Sequence, residues 1–130
     1  MKALFRNTFL GLLSFVLFPS INCGVAEVVQ FLEEHENAVV LFYRPGCPYC
    51  RYVMPLFDAV QKKYEGAAGA PAFLKVDITS DSAALKAAFN FTTVPTFVYV
   101  KDGDEKLRHG SNNMKLKQSE IDANIQQLYF

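Results

Sequence analysis

Residues 39–50 read Val39-Val40-Leu41-Phe42-Tyr43-Arg44-Pro45-Gly46-Cys47-Pro48-Tyr49-Cys50, and the fold follows from how this stretch divides. Val39 to Tyr43 is a continuous apolar run of strand length, rich in β-forming residues. Such a run suits a central strand covered on both faces. Arg44, Pro45 and Gly46 break it. Pro48 then suits the first position of a helix, where a missing N–H costs nothing. In that helix Val53, Phe57, Val60 and Tyr64 form one apolar stripe, with Met54 and Leu56 beside it. Pro55 falls inside it and is expected to bend it, because it removes a backbone donor and crowds the preceding turn. The two cysteines therefore stand where a strand ends and a helix begins.

The same alternation extends in both directions. Upstream, Val25, Val28, Val29 and Leu32 recur at helical spacing, and Glu33, Glu34, His35 and Glu36 close that element. Downstream, residues 66–71 (GAAGAP) form a loop, and Ala72 to Val76 is a second strand ending at Asp77. Ser80 or Asp81 can cap a short helix carrying Leu85, Ala88 and Phe89. Thr96 to Val100 is a third strand, and Asp102-Gly103 marks a tight hairpin turn. Glu105 to His109 is then a polar, antiparallel edge strand. Ile121, Ile125 and Leu128 mark a last amphipathic helix. The order α-β-α-β-α-β-β-α predicts an α/β fold: a four-stranded mixed sheet, mostly parallel with one antiparallel hairpin, and helices on both faces.

With 130 residues, 51% hydrophobic and 20% charged, the chain has the balance of a single globular domain. Thirteen basic and thirteen acidic residues cancel, and no Lys/Arg run occurs, which excludes a nucleic-acid binder. Lys2 and Arg6 flank the start of an eleven-residue apolar run, Thr8 to Phe18. That is too short to span a bilayer, which takes about 20 residues, but suits the core of a signal peptide. Residues 1–23 are read as the signal peptide, with cleavage as late as Ala26, and 24–130 as the folded domain. Export follows: to the periplasm in a bacterium, otherwise into the secretory pathway. Membrane association is expected only if this segment is retained or Cys23 is lipidated. Nothing points to an oligomer, so a monomer is expected.

With Cys23 beside the targeting segment, Cys47 and Cys50 are left as one close pair, too few for a stapled scaffold. Residues i and i+3 of a first helical turn face the same way, close enough to form and open a disulfide. Cys47 would sit at a helix N-terminus, where free N–H groups and the macrodipole favour a thiolate. Arg44 and Arg51 add positive charge. Cys47 is thus the expected nucleophile and Cys50 the resolving thiol. A zinc site needs about four ligands, and only the distant His35 and His109 could assist, so no metal is expected. A disulfide closing so short a loop would add little stability. Asn90-Phe91-Thr92 fits a glycosylation acceptor pattern but is read as a helix-to-loop junction.

The run Arg44 to Cys50, RPGCPYC, resembles the active site of glutaredoxins, including the basic residue three before the first Cys. Thr93-Val94-Pro95 resembles their second signature. In the thioredoxin superfamily that proline follows a cis bond and faces the thiols, and its neighbours offer backbone to substrate. Pro55, the stretch Thr96 to Gly110 and the last helix resemble thioredoxins, so the likeness covers about Val25 to Tyr129. It implies a thioredoxin-like fold and a thiol–disulfide oxidoreductase with no cofactor. Its catalytic residues would be Cys47 and Cys50, and its motif and substrate-binding residues Arg44, Pro48, Tyr49, Thr93, Val94 and Pro95. Protein disulfides or dithiols are the implied partners. Extended substrate would add by edge pairing. The chain departs from thioredoxins at Leu41, where they carry a buried carboxylate, and at Gly46, where they carry Trp. It departs from glutaredoxins at Gly110-Ser111-Asn112-Asn113, where they carry Gly-Gly…Asp-Asp. Glutathione therefore stands as an alternative partner, and a binding module without catalysis as a third reading. Tyr49, in place of the His of strong oxidants, favours a reductant or isomerase.

Overall fold

The computed structural model describes residues 24–110 and 114–130. The expected signal peptide, its cleavage site and Cys23 lie outside the described residues, as do Ser111, Asn112 and Asn113. The elements run α1 (Val25–Glu34), β1 (Ala38–Tyr43), α2 (Pro48–Tyr64), β2 (Ala72–Asp77), α3 (Ser82–Phe89), β3 (Thr96–Lys101), β4 (Asp104–Gly110) and α4 (Gln118–Tyr129). The expected order is present, with most ends within a residue of the apolar runs. Among the described residues no helix is long and apolar enough to cross a membrane.

The four strands lie in the order β2-β1-β3-β4. Only β1 and β2 pair in parallel; β1–β3 and β3–β4 are antiparallel. The sheet is mixed, as expected, but one pairing of its three is parallel where most were expected to be. The reason lies in the connection after β2. A helix of eight residues advances about 12 Å, and the following stretch 90–95 carries the chain back to the end of the sheet it left. β3 thus enters beside the end of β1, with Thr96 opposite Phe42, and runs the other way.

β1 is the axis of the molecule, fully buried from Ala38 to Phe42. Alternation along it feeds two cores. Val40 and Phe42 face α1 and α3 with Val28, Val76, Ile78, Leu85, Phe91 and Val98. Val39 and Leu41 face α2 and α4 with Val53, Phe57, Val60, Phe97, Tyr99, Ile121 and Ile125. Aromatic rings fill both sides. Phe42 stacks on Phe91 at 4.5 Å, and Phe57 meets Phe73 edge-on at 5.7 Å. The stripe Val53, Phe57, Val60 and Tyr64 is the face that fixes α2 to the sheet. The helix runs through Pro55, leaving the Arg51 carbonyl without its usual intrahelical donor.

Long-range hydrogen bonds lock the end of the sheet away from the cysteines. In the β3–β4 turn Asp102 and Gly103 both have positive φ, 55° and 85°. Both central residues need this in the tight turn that matches strand twist. The turn is clamped by the two residues that lead into β1. The Asp102 N–H donates to Asn37 Oδ1 and the Gly103 N–H to the Glu36 carbonyl, both at 2.9 Å. The Tyr129 hydroxyl donates toward the carbonyls of Ala38 (3.1 Å) and Val100 (2.8 Å), tying the end of α4 to β1 and β3. Arg108 donates to the carbonyls of Phe89 and Asn90, closing α3 from the neighbouring strand. Asn90 itself is the left-handed cap of α3, with φ 57°, so Asn90-Phe91-Thr92 is a helix-to-loop junction. At the other end of α3, Asp81 occupies the cap position, but its side chain makes no capping hydrogen bond.

Candidate active site

Because β1 is central and ends at Tyr43, the turn after it opens at the end of the sheet where α2 begins. There Cys47 adopts extended backbone (φ −84°, ψ 126°) as the cap of α2, and Pro48 takes the first helical position. The Cys47 Sγ accepts a hydrogen bond from the Cys50 N–H at 3.4 Å. The thiol thus does for the helix what a Ser or Asp cap does elsewhere. Both cysteines are thiols; Cys47 is half-buried and Cys50 is 1% exposed. One helical turn accounts for the difference, since the cap faces the opening and position 50 turns toward the core.

The two sulfurs differ as acids. Burial alone would raise Cys47, but the Cys50 N–H, the Cys50 thiol, the Tyr49 N–H and the Arg44 charge outweigh it and hold it below the ordinary thiol value. Burial pushes Cys50 from 9.0 up to about 12. The Arg44 N–H, which donates to Cys50 Sγ at 3.4 Å, opposes that rise, whereas the Cys47 sulfur adds to it. A thiolate placed here is therefore held on Cys47. The sign gives a test. As pH is raised from acid, iodoacetamide should label Cys47 first, with a midpoint below that of a free thiol. Cys50 should remain protected until strongly alkaline pH. Equal midpoints for the two would contradict the geometry.

Thr93, Val94 and Pro95 lie at the same end of the sheet. The Val94–Pro95 bond is cis, as the resemblance implied. Pro95 is buried, Val94 half-buried and Thr93 exposed, and the Thr96 hydroxyl donates to the Thr93 carbonyl at 2.7 Å. Since Thr96 pairs with Phe42, Pro95 falls beside the last residue of β1, next to the turn that carries Cys47. Arg44, Pro48 and Tyr49 are exposed around the opening, with Tyr49 37% accessible. All the residues singled out from the sequence thus gather at one end of the sheet.

Two contributors were not foreseen. Gly110, at the end of β4, lies against the proline loop: a Cβ there would come within 3.0 Å of the Pro95 carbonyl oxygen. A side chain there would press on that carbonyl and oblige the loop to give by a few tenths of an ångström, and a lone Gly ending a polar strand was the available signal. The second is Tyr52, whose hydroxyl donates to the Leu116 carbonyl at 3.0 Å and holds the segment before α4 against the first turns of α2.

Neither histidine joins the cysteines. The His35 ring stacks on Phe31 at 4.3 Å, with its Nδ1 3.0 Å from the Phe31 carbonyl. His109 stacks on Phe97 at 4.6 Å, between the Gly110 carbonyl at Nδ1 and the Tyr99 hydroxyl at Nε2. The carbonyl can only accept, so Nδ1 carries the proton and the Tyr99 O–H donates to Nε2. Burial pulls His109 below the ordinary imidazole value, against the Gly110 hydrogen bond and the Glu120 charge. Among the described residues no group of three or more His, Cys, Asp or Glu is placed to hold a metal ion.

A family model described as Thioredoxin matches residues 25–127. The chain is 38% identical over 78 residues to Thioredoxin H-type of Chlamydomonas reinhardtii, covering 60% of this chain and 66% of that protein. It is 29% identical over 77 residues to Protein disulfide-isomerase A5 of Mus musculus, covering 59% of this chain and 15% of that one. The chain thus spans less than two thirds of either relative. Among solved structures, Fasciola hepatica thioredoxin superposes with TM-score 0.68 at 26% identity, covering 85% of this chain and 99% of that one. A thioredoxin mutant from Halobacterium salinarum gives the same TM-score at 20% identity, a likeness of fold alone.

Proposed function

The chain belongs to the thioredoxin family, and on that premise we propose that it is an exported thiol–disulfide oxidoreductase acting on protein substrates through Cys47 and Cys50. The observation that carries this reading is the inequality of the two thiols: one half-buried and held below the ordinary thiol value, the other buried and pushed up to about 12.

In the reductive direction the Cys47 thiolate attacks one sulfur of a substrate disulfide. A Cys47–substrate bond forms, the substrate S–S bond breaks, and the other substrate sulfur leaves as a thiolate. Cys47 is then neutral, and its sulfur no longer holds the Cys50 proton in place. Two of the causes that raise Cys50, the hydrogen bond to Cys47 and its charge, are thereby removed. Burial remains as the barrier, and the Arg44 N–H remains to receive a developing thiolate. Cys50 loses its proton, attacks Cys47 Sγ and releases the second substrate thiol. The protein gives up two electrons and two protons, and the substrate gains both. The reverse sequence donates the disulfide.

Leu41, wholly buried, stands where thioredoxins carry a carboxylate, so the Cys50 proton leaves by the open side of the site rather than through the core. Tyr49 supplies no positive charge to the motif and favours the reductive or isomerising direction. The exposed Thr93 and the half-buried Val94 offer backbone at the same end of the sheet as Cys47, suited to a peptide laid along the loop. Export rests on the apolar run Thr8 to Phe18 behind Lys2 and Arg6. Reduced protein mixed with a protein disulfide should open one substrate disulfide for each Cys47–Cys50 pair oxidised. Oxidation of the pair without substrate thiols appearing would overturn the reading.

A further inference from the structure

We infer that the rim around Cys47 selects protein disulfides flanked by carboxylate side chains, with Arg44 and Arg51 as the specificity-determining residues. This rests on the exchange function proposed above and names its substrate class. The chain carries no net charge, yet its charges are not evenly spread. Arg44 and Arg51 flank the nucleophile in sequence, and both are exposed. Arg51 is four residues beyond Cys47 on α2, its N–H donating to the Cys47 carbonyl at 3.0 Å, so the two share one face of the helix. Arg44 is close enough for its charge to act on both sulfurs.

Neither guanidinium has a carboxylate partner among the described residues, where the ion pairs are Lys63–Asp122, Lys75–Asp58 and Arg108–Glu105. Of the acidic residues toward that end of the fold, Asp81 makes no capping hydrogen bond, while three others already have partners. Asp58, two turns further along α2, is held by Lys75 at 2.7 Å. Asp77, opposite Tyr43 in the sheet, accepts from the Thr79 N–H and hydroxyl at 2.9 and 2.6 Å. Glu120 accepts from the Lys117 N–H at 3.0 Å. At the far end of the sheet Glu36, Asp102 and Asp104 stand at the β3–β4 turn, with Lys101 beside them. A substrate approaching the thiols therefore meets two unpaired, multiply donating cations, and a carboxylate beside its disulfide supplies what the protein leaves unfilled.

The test compares three peptides that differ only in having Asp, Asn or Lys on either side of one intramolecular disulfide, reduced by the full chain. At low salt the Asp peptide should react roughly threefold to tenfold faster than the Asn peptide, and the Lys peptide more slowly than both. The gap should close as salt shortens the screening length toward about 3 Å near 1 M. Arg51→Glu, which leaves Arg44 beside the sulfurs but cancels its charge at the rim, should bring the rates of the Asp and Lys peptides together. Arg44→Gln with Arg51→Gln should slow all three and abolish the ratio. A ratio near one at low salt, or one unchanged in Arg51→Glu, would overturn the inference while leaving exchange intact. Reaction with none of the three would overturn the exchange function itself.

Discussion

Cys47→Ser is expected to bring disulfide exchange down to the uncatalysed rate, while Cys50→Ser still attacks substrate and then stalls. The asymmetry follows from the two environments. A serine hydroxyl cannot attack a disulfide sulfur at neutral pH, and Cys50, 1% exposed, is still held protonated by burial and shielded from a substrate disulfide. The expected loss in Cys47→Ser is thus complete against protein disulfides, with the fold unchanged by circular dichroism. Cys50→Ser keeps the Cys47 thiolate and its N–H donors, so the first step survives and turnover does not. Continued turnover by Cys50→Ser in the presence of glutathione would favour the glutathione-dependent alternative, because that route needs only one thiol. Full activity of Cys47→Ser would place the nucleophile elsewhere.

Phe57→Ala should produce the largest loss of stability. Phe57 is 1% exposed in the middle of the face that joins α2 to the sheet, with Phe73 edge-on at 5.7 Å and Phe97 at 6.3 Å. Removing a buried ring leaves a cavity whose lining cannot fully collapse, at a cost of about 3–5 kcal/mol. Against a total of roughly 5–15 kcal/mol for a domain this size, that is a large fraction. Urea denaturation should show a lower midpoint with an unchanged slope. A loss under about 1 kcal/mol would mean that the α2–sheet core is less closely packed than the contacts indicate. Because the ring lies two helical turns from Cys50, the Cys47 alkylation midpoint should stay where it is, so a shift in both quantities would also count against this account.

The parts of the fold that can be read from sequence are those set by local pattern. Val39 to Tyr43 has no polar residue to place, so it announces a central strand. Asp102-Gly103 announces a turn because few other pairs accept two positive φ angles. Strand direction is different. Thr96 to Val100 carries the same apolar signature whether β3 runs with β1 or against it. What decides is the distance covered by α3 and the stretch after it, and composition does not encode that. The long-range bonds are equally silent. Nothing in the sequence tells Asn37 that it will clamp the turn at Asp102, or Arg108 that it will close α3, because each acts on a neighbour placed by the whole sheet. Asp81 illustrates the converse, since its residue type suits a cap and its side chain does not serve as one.

The site was more legible than the sheet around it because its chemistry is local. Two cysteines three apart at a strand–helix junction define which sulfur caps the helix and which turns inward. The sequence does not reveal how strongly they differ, because that depends on the burial of Cys50 and on the Arg44 N–H reaching it from the preceding turn. Gly110 belongs to the site only through β3–β4 pairing, which brings it opposite Thr96 and against the proline loop.

The central claim is a reversible two-electron couple between Cys47 and Cys50, and the direct measurement is its equilibrium with glutathione redox buffers in the protein lacking residues 1–23. The account predicts one cooperative transition between dithiol and disulfide. It should lie toward the reducing range, near about −270 mV as in thioredoxin rather than the roughly −120 mV of a strong disulfide donor. The transition should vanish in Cys50→Ser. A potential near −120 mV would contradict the reading of Tyr49 and the reductive direction. Absence of any reversible Cys47–Cys50 couple would contradict the oxidoreductase itself.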